Sequence, residues 1–152
     1  MSATRVIVDA DACPVKDDVL EVAERLGAGV VLVSNGGMRP SRYPSARIVS
    51  VSDGFDAADD WIAEEATAAD VVVTADIPLA SRALEKGAAV LGPDGRPFTA
   101  ANIGAALSLR SFNQHLRESG ESKGYNKPFA PADRSRFRQE LDRALRRAIM
   151  PS

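Results

Sequence analysis

The sequence has few cysteine, histidine and aromatic residues, and these shortages exclude several kinds of site. Of the 152 residues, one is a cysteine (Cys13) and one is a histidine (His115). A single cysteine excludes an intrachain disulfide and a zinc site built from several thiolates. Aromatic residues make up 5% of the chain, too few for the stacking surface of a single-strand-binding protein. A metal site in this chain must therefore use oxygen ligands, which Mg²⁺ and Mn²⁺ prefer.

The chain also lacks long apolar runs. None approaches the roughly 20 residues that a helix needs to cross a bilayer. The first residues lack the basic segment, apolar stretch and small-residue cleavage site of a signal peptide. We therefore expect a cytoplasmic protein without a membrane partner. The composition, 45% hydrophobic and 26% charged, is globular, and 152 residues fit one domain.

Charge is distributed unevenly along the chain. Residues 1–109 have 9 Lys and Arg against 16 Asp and Glu, whereas residues 110–152 have 10 against 5. Acids in the first part could hold a metal, and the basic C-terminal segment could attract a polyanion. A solvated, Arg-rich terminal helix explains the basic segment equally well. Asp17, Asp18 and Glu21 are expected to complement a helix dipole and to face water.

Short apolar strands alternate with amphipathic helices along the chain. Strands are predicted at residues 5–9, 29–34, 47–51, 70–74 and 88–91. Helices are predicted at residues 15–26, 56–68, 78–86, 100–116 and 133–149. This alternation predicts a three-layer α/β fold, with a mainly parallel sheet of about five strands between helices. We expect one domain over residues 1–152, with a basic helical segment at about 100–150. Such sheets bind ligands at the carboxyl ends of their strands.

Aspartates follow three of the predicted strands. Asp9 and Asp11 come at the end of the first, Asp56 and Asp59 open the helix after the third, and Asp76 follows the fourth. Because the carboxyl ends of parallel strands meet at one edge, we expect these side chains to converge. Two carboxylates about 4 Å apart repel each other by roughly 4 kcal/mol at an effective dielectric constant near 20. The cluster therefore predicts a bound Mg²⁺ or Mn²⁺ ion, held by these five aspartates.

Helical phase separates Asp59 from its neighbour Asp60. Asp59 is in phase with Ile62 and Ala66, so we expect it on the inward stripe of its helix. Asp60 is in phase with Glu64 and is expected to face solvent. The phase therefore includes Asp59 in the cluster and excludes Asp60.

Each aspartate of the cluster also has a purely structural interpretation. Asp9 and Asp11 suit a turn, Asp56 and Asp59 suit a helix cap, and Asp76 suits the position before a proline-initiated helix. These alternatives stay open. A joint structural explanation is the weaker one, because three separate segments converge on one edge.

Three stretches carry a resemblance to a known family: Asp9-Ala-Asp-Ala-Cys-Pro14, Asp56-Ala-Ala-Asp59 and Thr74-Ala-Asp-Ile-Pro-Leu-Ala80. They resemble the YaiI/YqxD-like family of uncharacterised bacterial proteins, and the likeness extends over nearly the whole chain. That family is placed near PIN-like nuclease domains, which use an acidic cluster around Mg²⁺ or Mn²⁺ to hydrolyse RNA or DNA. The resemblance thus implies a PIN-like fold and a metal-dependent nuclease.

The resemblance also implies roles for single residues. Asp9 corresponds to the acid that ends the first strand, Asp59 to the helix acid, and Asp76 to the acid after the fourth strand. These three are the expected catalytic acids, with Asp11 and Asp56 as auxiliary metal ligands. Polar or basic residues near the edge are candidate substrate contacts: Thr74, Lys16, Asn35, Arg39, Arg42, Arg82 and Arg110. The expected partner is a nucleic acid, and RNA is expected before DNA. The apolar stripe of the last helix would also suit a homodimer.

Two other functions are compatible with the same residues. A non-catalytic metal- or RNA-binding regulatory module with a PIN-like body would keep the acids without cleaving a substrate. Asp9 and Asp11 after an apolar strand also resemble the start of haloacid-dehalogenase-like phosphatases, in which the first Asp is a nucleophile. That interpretation needs a strand-end lysine and a late acidic pair, which we do not find. Whether the chain is an enzyme is therefore left open by the sequence.

Overall fold

A computed structural model describes residues 4–10, 15–34, 46–51, 57–108 and 130–149. Its strands are β1 (Arg5–Asp9), β2 (Gly29–Ser34), β3 (Ala46–Ser50), β4 (Val71–Val73), β5 (Ala89–Leu91) and β6 (Pro97–Phe98). Its helices are α1 (Lys16–Leu26), α2 (Ala57–Glu65), α3 (Ile77–Glu85), α4 (described over 100–108) and α5 (Pro131–Ile149).

The strands form one sheet in the order β3-β2-β1-β4-β5-β6. The first five strands are parallel, and β6 pairs antiparallel with β5. Helices pack on both faces, so the predicted three-layer α/β fold is confirmed and is consistent with a PIN-like fold. The five predicted strands are present within one residue at each end. Strand β6 was not predicted, because it has two residues and begins with Pro97, which has no backbone N–H for a ladder.

Two apolar cores lie on the two faces of the sheet. Val6 and Val8 of β1 belong to the core that includes α1 and α5. Ile7 points the other way, into the core that includes α2 and α3. Because side chains alternate along a strand, Asp9 at the end of β1 lies on the same face as Ile7. The alternation of β1 therefore directs Asp9 towards the α2–α3 side.

Helix α5 is part of the core. Phe137, Leu141 and Leu145, three members of its predicted apolar stripe, are completely buried, whereas Ile149 at the end of the stripe is 40% exposed. Most of the stripe thus packs into the core of its own chain. The basic segment is anchored along this helix by burial of apolar surface.

Gly95, in the turn between β5 and β6, makes a close approach to α5. Its φ of +87° lies in the left-handed region. A Cβ at this position would lie 2.6 Å from the backbone nitrogen of Phe137 and 2.7 Å from the carbonyl carbon of Arg136. Only glycine satisfies both the backbone conformation and the contact.

The charged residues of α1 correct one prediction. Asp17 and Glu21 are exposed as expected, but Asp18 is 5% exposed and does not face water. Its carboxylate accepts hydrogen bonds from Arg134 and, at 2.7 Å, from Arg138 of α5. The prediction for Asp18 was wrong because helix-dipole reasoning considers α1 alone, whereas α5 covers that side of α1 and supplies two guanidinium groups.

The predicted helix over residues 56–68 is too long at its C-terminal end. Helix α2 ends at Glu65, and the chain then turns into β4. Asp70, 2% exposed, accepts the backbone N–H and the hydroxyl of Thr67 at 2.9 and 3.0 Å. Arg5 donates to both carboxylate oxygens of Asp70, at 3.0 and 3.1 Å. This side-chain-stabilised turn replaces the last helical residues that apolar periodicity predicts.

Within the described part of the chain, no helix combines the length and the apolar character needed to cross a membrane.

Candidate functional site

Asp9 and Thr74 lie side by side at the carboxyl ends of two adjacent strands. Val8 of β1 is in register with Val73 of β4, so the next residues along the two strands are neighbours. The Thr74 hydroxyl donates to Asp9 Oδ2 at 3.1 Å. Thr74 is 1% exposed, so this bond lies at the boundary of the core and holds the direction of the Asp9 carboxylate.

The same hydroxyl reaches the third sequence-predicted segment. Thr74 Oγ1 accepts the backbone N–H of Asp76 at 3.0 Å, so one side chain joins the acid of β1 to the loop after β4. Asp76 Oδ1 accepts the backbone N–H of Leu79 at 2.9 Å and caps α3. The capping role of Asp76 is thus confirmed. It is compatible with a ligand role, because a carboxylate has two oxygens and about four acceptor positions.

Asp59 lies in the first turn of α2 and is half-buried. The residues that continue its stripe, Ile62 and Ala66, are buried, whereas the Asp60 side chain is 58% exposed. The predicted phase of the helix is therefore confirmed. Because α2 connects the parallel strands β3 and β4, it begins at the carboxyl edge of the sheet and returns to the amino edge. Its first turn and Asp9 therefore belong to the same edge and the same face.

We call Asp9, Asp59, Thr74 and Asp76 the aspartate edge. Among the described residues, no group of three or more His, Cys, Asp or Glu side chains is arranged to hold a metal ion. The two auxiliary ligands of the prediction, Asp11 and Asp56, lie outside the described residues. Mg²⁺ and Mn²⁺ prefer oxygen ligands, and the carboxylates of the aspartate edge are ligands of this type. The metal site stays a prediction.

Two of the candidate substrate contacts are described helix residues. Lys16 opens α1 and is half-buried. Arg82 of α3 donates through Nη1 to Asp60 Oδ1 at 2.9 Å, and both side chains of this pair are exposed. The guanidinium group predicted to contact phosphate is therefore paired with the acid that the helical phase excluded from the cluster. The other candidates, Asn35, Arg39, Arg42 and Arg110, lie outside the described residues.

Sequence reasoning missed the ion pairs between α1 and α5. Arg138 Nη1 donates to Asp18 at 2.7 Å and to Glu21 Oε2 at 2.8 Å. These two acids hold the pKa of Arg138 above its usual value, mainly through the hydrogen bond that Arg138 donates to Asp18. The sequence signal was the spacing: acids three apart on one helix match arginines four apart on another. That signal cannot be used until the packing of the two helices is known.

Two clefts, of about 710 and 640 Å³, lie away from the aspartate edge. The larger lies between α1 and α5 and is lined largely by arginines. The smaller lies where the start of β5 and the β6 strand face the second half of α5. Neither of these two clefts is lined by a residue of the aspartate edge.

The fold and the site together define a class: a three-layer α/β protein with aspartates at the carboxyl edge of adjacent parallel strands. A statistical model of the family described as "Uncharacterized BCR, YaiI/YqxD family" matches residues 7–147. The chain belongs to this family, and the resemblance found in its sequence motifs is confirmed.

Named relatives agree with this assignment. A "UPF0178 protein" of Mesorhizobium japonicum is 66% identical over 149 residues, covering 98% of this chain and 96% of the relative. A second, from Agrobacterium fabrum, is 59% identical over 143 residues, covering 94% of each chain. A third, from Parvibaculum lavamentivorans, is 56% identical over 151 residues, covering 97% of this chain and 99% of the relative. No solved structure matches the chain with statistical significance.

Proposed function

We propose that the protein is a metal-dependent nuclease that hydrolyses phosphodiester bonds of RNA or DNA at the aspartate edge. The observation that carries this proposal is the pair of hydrogen bonds at the Thr74 hydroxyl. It donates to Asp9 at 3.1 Å and accepts the N–H of Asp76 at 3.0 Å. One buried side chain thus ties together two carboxylate-bearing segments that are 67 positions apart in the sequence.

The chemistry of the edge suits a divalent cation. Asp59, in the first turn of α2, would add a carboxylate from a helix to those that follow the two strands. The ligand set would be Asp9, Asp59 and Asp76, supplemented by Asp11 and Asp56. When bound, Mg²⁺ or Mn²⁺ would activate a water molecule and offset the charge of a phosphoryl group.

The protein's own residues would hold and orient the reacting groups. Thr74 keeps the Asp9 carboxylate in one direction, so its reorganisation during the reaction would be small. An acidic edge repels a phosphodiester, and nearby cations would offset that repulsion. Arg82 is suited to this, because its exposed pair with Asp60 is worth only about 0–1 kcal/mol and a phosphate could replace the carboxylate.

The direct test is cleavage of end-labelled single-stranded RNA and DNA by the full chain with Mn²⁺ or Mg²⁺. We expect cleavage, and a loss of roughly 100-fold or more in rate on Asp9→Asn or Asp76→Asn. Asp60→Asn is the matched control, because it removes a neighbouring acid that is 58% exposed and lies off the inward stripe. Its rate should not fall below that of the parent chain, because the change leaves the predicted ligands intact and only releases Arg82 from its carboxylate partner.

Mn²⁺ binding, measured by calorimetry without substrate, separates the possible failures. If the parent chain binds Mn²⁺ and RNA but never cleaves it, the nuclease proposal is wrong and the non-catalytic binding module is supported. If Asp9→Asn cleaves as fast as the parent, the assignment of the aspartate edge is wrong. A metal-fluoride adduct trapped on Asp9 would instead support the phosphatase alternative.

A further inference from the structure

The smaller cleft, of about 640 Å³, has the size of a small-molecule site. It lies between the β5 and β6 strands and the second half of α5, and we call it the β5–α5 cleft. The larger apolar side chains of its described lining include Leu84, Leu91 and Phe98. A concave surface with an apolar lining and a few polar groups is typical of sites for small organic ligands.

Small side chains leave the β5–α5 cleft open. Ala144 and Ala148, one turn apart on α5, line one side, and Ala88 and Ala89 line the start of β5 opposite. An alanine side chain ends at Cβ, so neither side extends into the space between the helix and the sheet. The apolar body of a ligand could bury these methyl groups and the Phe98 ring together.

Four charged residues line the β5–α5 cleft, two acids and two arginines. Asp70 is paired, because it accepts hydrogen bonds from Arg5 at 3.0 and 3.1 Å. Glu140 is paired with Arg143 at 3.2 Å. Arg147 is exposed and forms no ion pair with any residue in the described part of the chain. The described lining therefore has one positive charge that no acid compensates.

The position of Arg147 on α5 adds to this charge. Arg143 lies four residues before Arg147, so the two side chains are neighbours on the same side of the helix. Like charges at this spacing repel each other, and an anion held by Arg147 would offset that repulsion. A guanidinium group can bind both oxygens of one carboxylate.

We propose that the β5–α5 cleft binds a small organic carboxylate with an apolar body. Arg147 would hold the carboxylate, and the apolar body would lie against Phe98 and the alanines of α5. A single uncompensated charge suits a monoanion better than a polyanion. This site goes beyond the proposed function and does not depend on it, because none of its lining residues belongs to the aspartate edge.

The test is a titration of the ¹⁵N-labelled full chain with octanoate, followed by two-dimensional NMR in EDTA and without nucleic acid. We expect saturable shifts of the backbone amide signals of β5, of Phe98 and of residues 144–148. Butyrate should bind much more weakly, since each buried CH₂ group contributes up to about fourfold in affinity. Octylammonium, with the same chain length and the opposite charge, should give no saturable shifts there.

Matched variants separate the charge from the shape of the cleft. Arg147→Gln should weaken octanoate binding roughly three- to tenfold, since it removes a charged hydrogen-bond donor at an exposed position. Arg146→Gln is the control, because Arg146 is 65% exposed and does not line this cleft, so its affinity should equal that of the parent. Ala148→Leu should abolish binding by filling the cleft. Leucine is a good helix former, so α5 should persist in this variant.

Several outcomes would overturn the proposal. Shifts that lie elsewhere or do not saturate would do so, and so would equal binding of octylammonium. Unchanged affinity in Arg147→Gln would also contradict it, even if Ala148→Leu failed to fold. Because the titration contains neither metal nor nucleic acid, its result is independent of whether the chain is a nuclease.

Discussion

The acids of the aspartate edge and the acids of the α1–α5 interface are held in different ways. Asp18 and Asp142 of the interface each accept hydrogen bonds from two arginines. The groups that hold Asp9 and Asp76 include the Thr74 hydroxyl and the Leu79 backbone amide, which are neutral. A guanidinium group compensates the charge of a carboxylate, whereas these two neutral donors fix the direction of the carboxylates that they contact. The first arrangement stabilises a helix pair, and the second suits a site that takes a cation.

The largest expected effect is loss of stability when the β5–β6 turn no longer fits α5. In Gly95→Ala, a methyl group at positive φ would lie 2.6 Å from the Phe137 backbone nitrogen. We expect a loss of about 3 kcal/mol in the free energy of unfolding, from left-handed strain and overpacking together. Urea denaturation followed by circular dichroism measures it.

The matched control for Gly95→Ala is Gly104→Ala in α4, where an added Cβ meets no atom within 4 Å. This change should raise stability by about 0.5–1 kcal/mol, the usual gain for alanine over glycine in a helix. If the two variants behave alike, the close approach of the turn to α5 is not what makes Gly95 necessary.

The second effect compares the two kinds of acid directly. Asp18→Asn removes the negative charge between two guanidinium groups and should cost about 2 kcal/mol, less than for a fully buried pair because Arg134 and Arg138 are partly exposed. Asp76→Asn should change stability by only a few tenths of a kcal/mol, because Asn is about as good an N-cap as Asp. Chemical denaturation of both variants tests the contrast.

The order of the two variants should be the opposite for nuclease activity: the variant that loses less stability should lose more activity. Asp76→Asn should lose cleavage, whereas Asp18→Asn should retain it at temperatures at which the protein is folded. Equal loss of stability in the two variants would contradict the distinction between compensated and oriented acids.

The smallest effect is a pH dependence at Asp142. Its pKa is lowered by the hydrogen bonds from Arg146 and Arg25, so it contributes stability above its unfolded pKa of about 3.9. That contribution is lost as pH falls through the lower, folded-state pKa. Parent and Asp142→Asn should therefore differ slightly in unfolding free energy at about pH 6 and converge at about pH 2. A constant difference across this range would show that the ion pairs at Asp142 contribute nothing.

The sequence by itself determined the strands, the helices and the faces of the acids at the sheet edge. Apolar runs located β1 to β5, and helical phase separated the half-buried Asp59 from the exposed Asp60. These features are local, because they follow from the periodicities of 2.0 and 3.6 residues in strands and helices. The sequence also predicted the capping position of Asp76, since this residue precedes a proline-initiated helix.

The tertiary structure alone decided which partners the charged residues have. It brought the acids of α1 to the arginines of α5, buried Asp18 and joined Asp9 to Asp76 through Thr74. It also placed the turn at Gly95 against α5 and added β6 to the sheet. These pairs are separated by up to 120 positions, and no local periodicity encodes such a distance. In the folded protein, the acids of α1 are therefore paired with arginines of α5, and the aspartates at the carboxyl edge of the sheet are oriented by neutral hydrogen-bond donors.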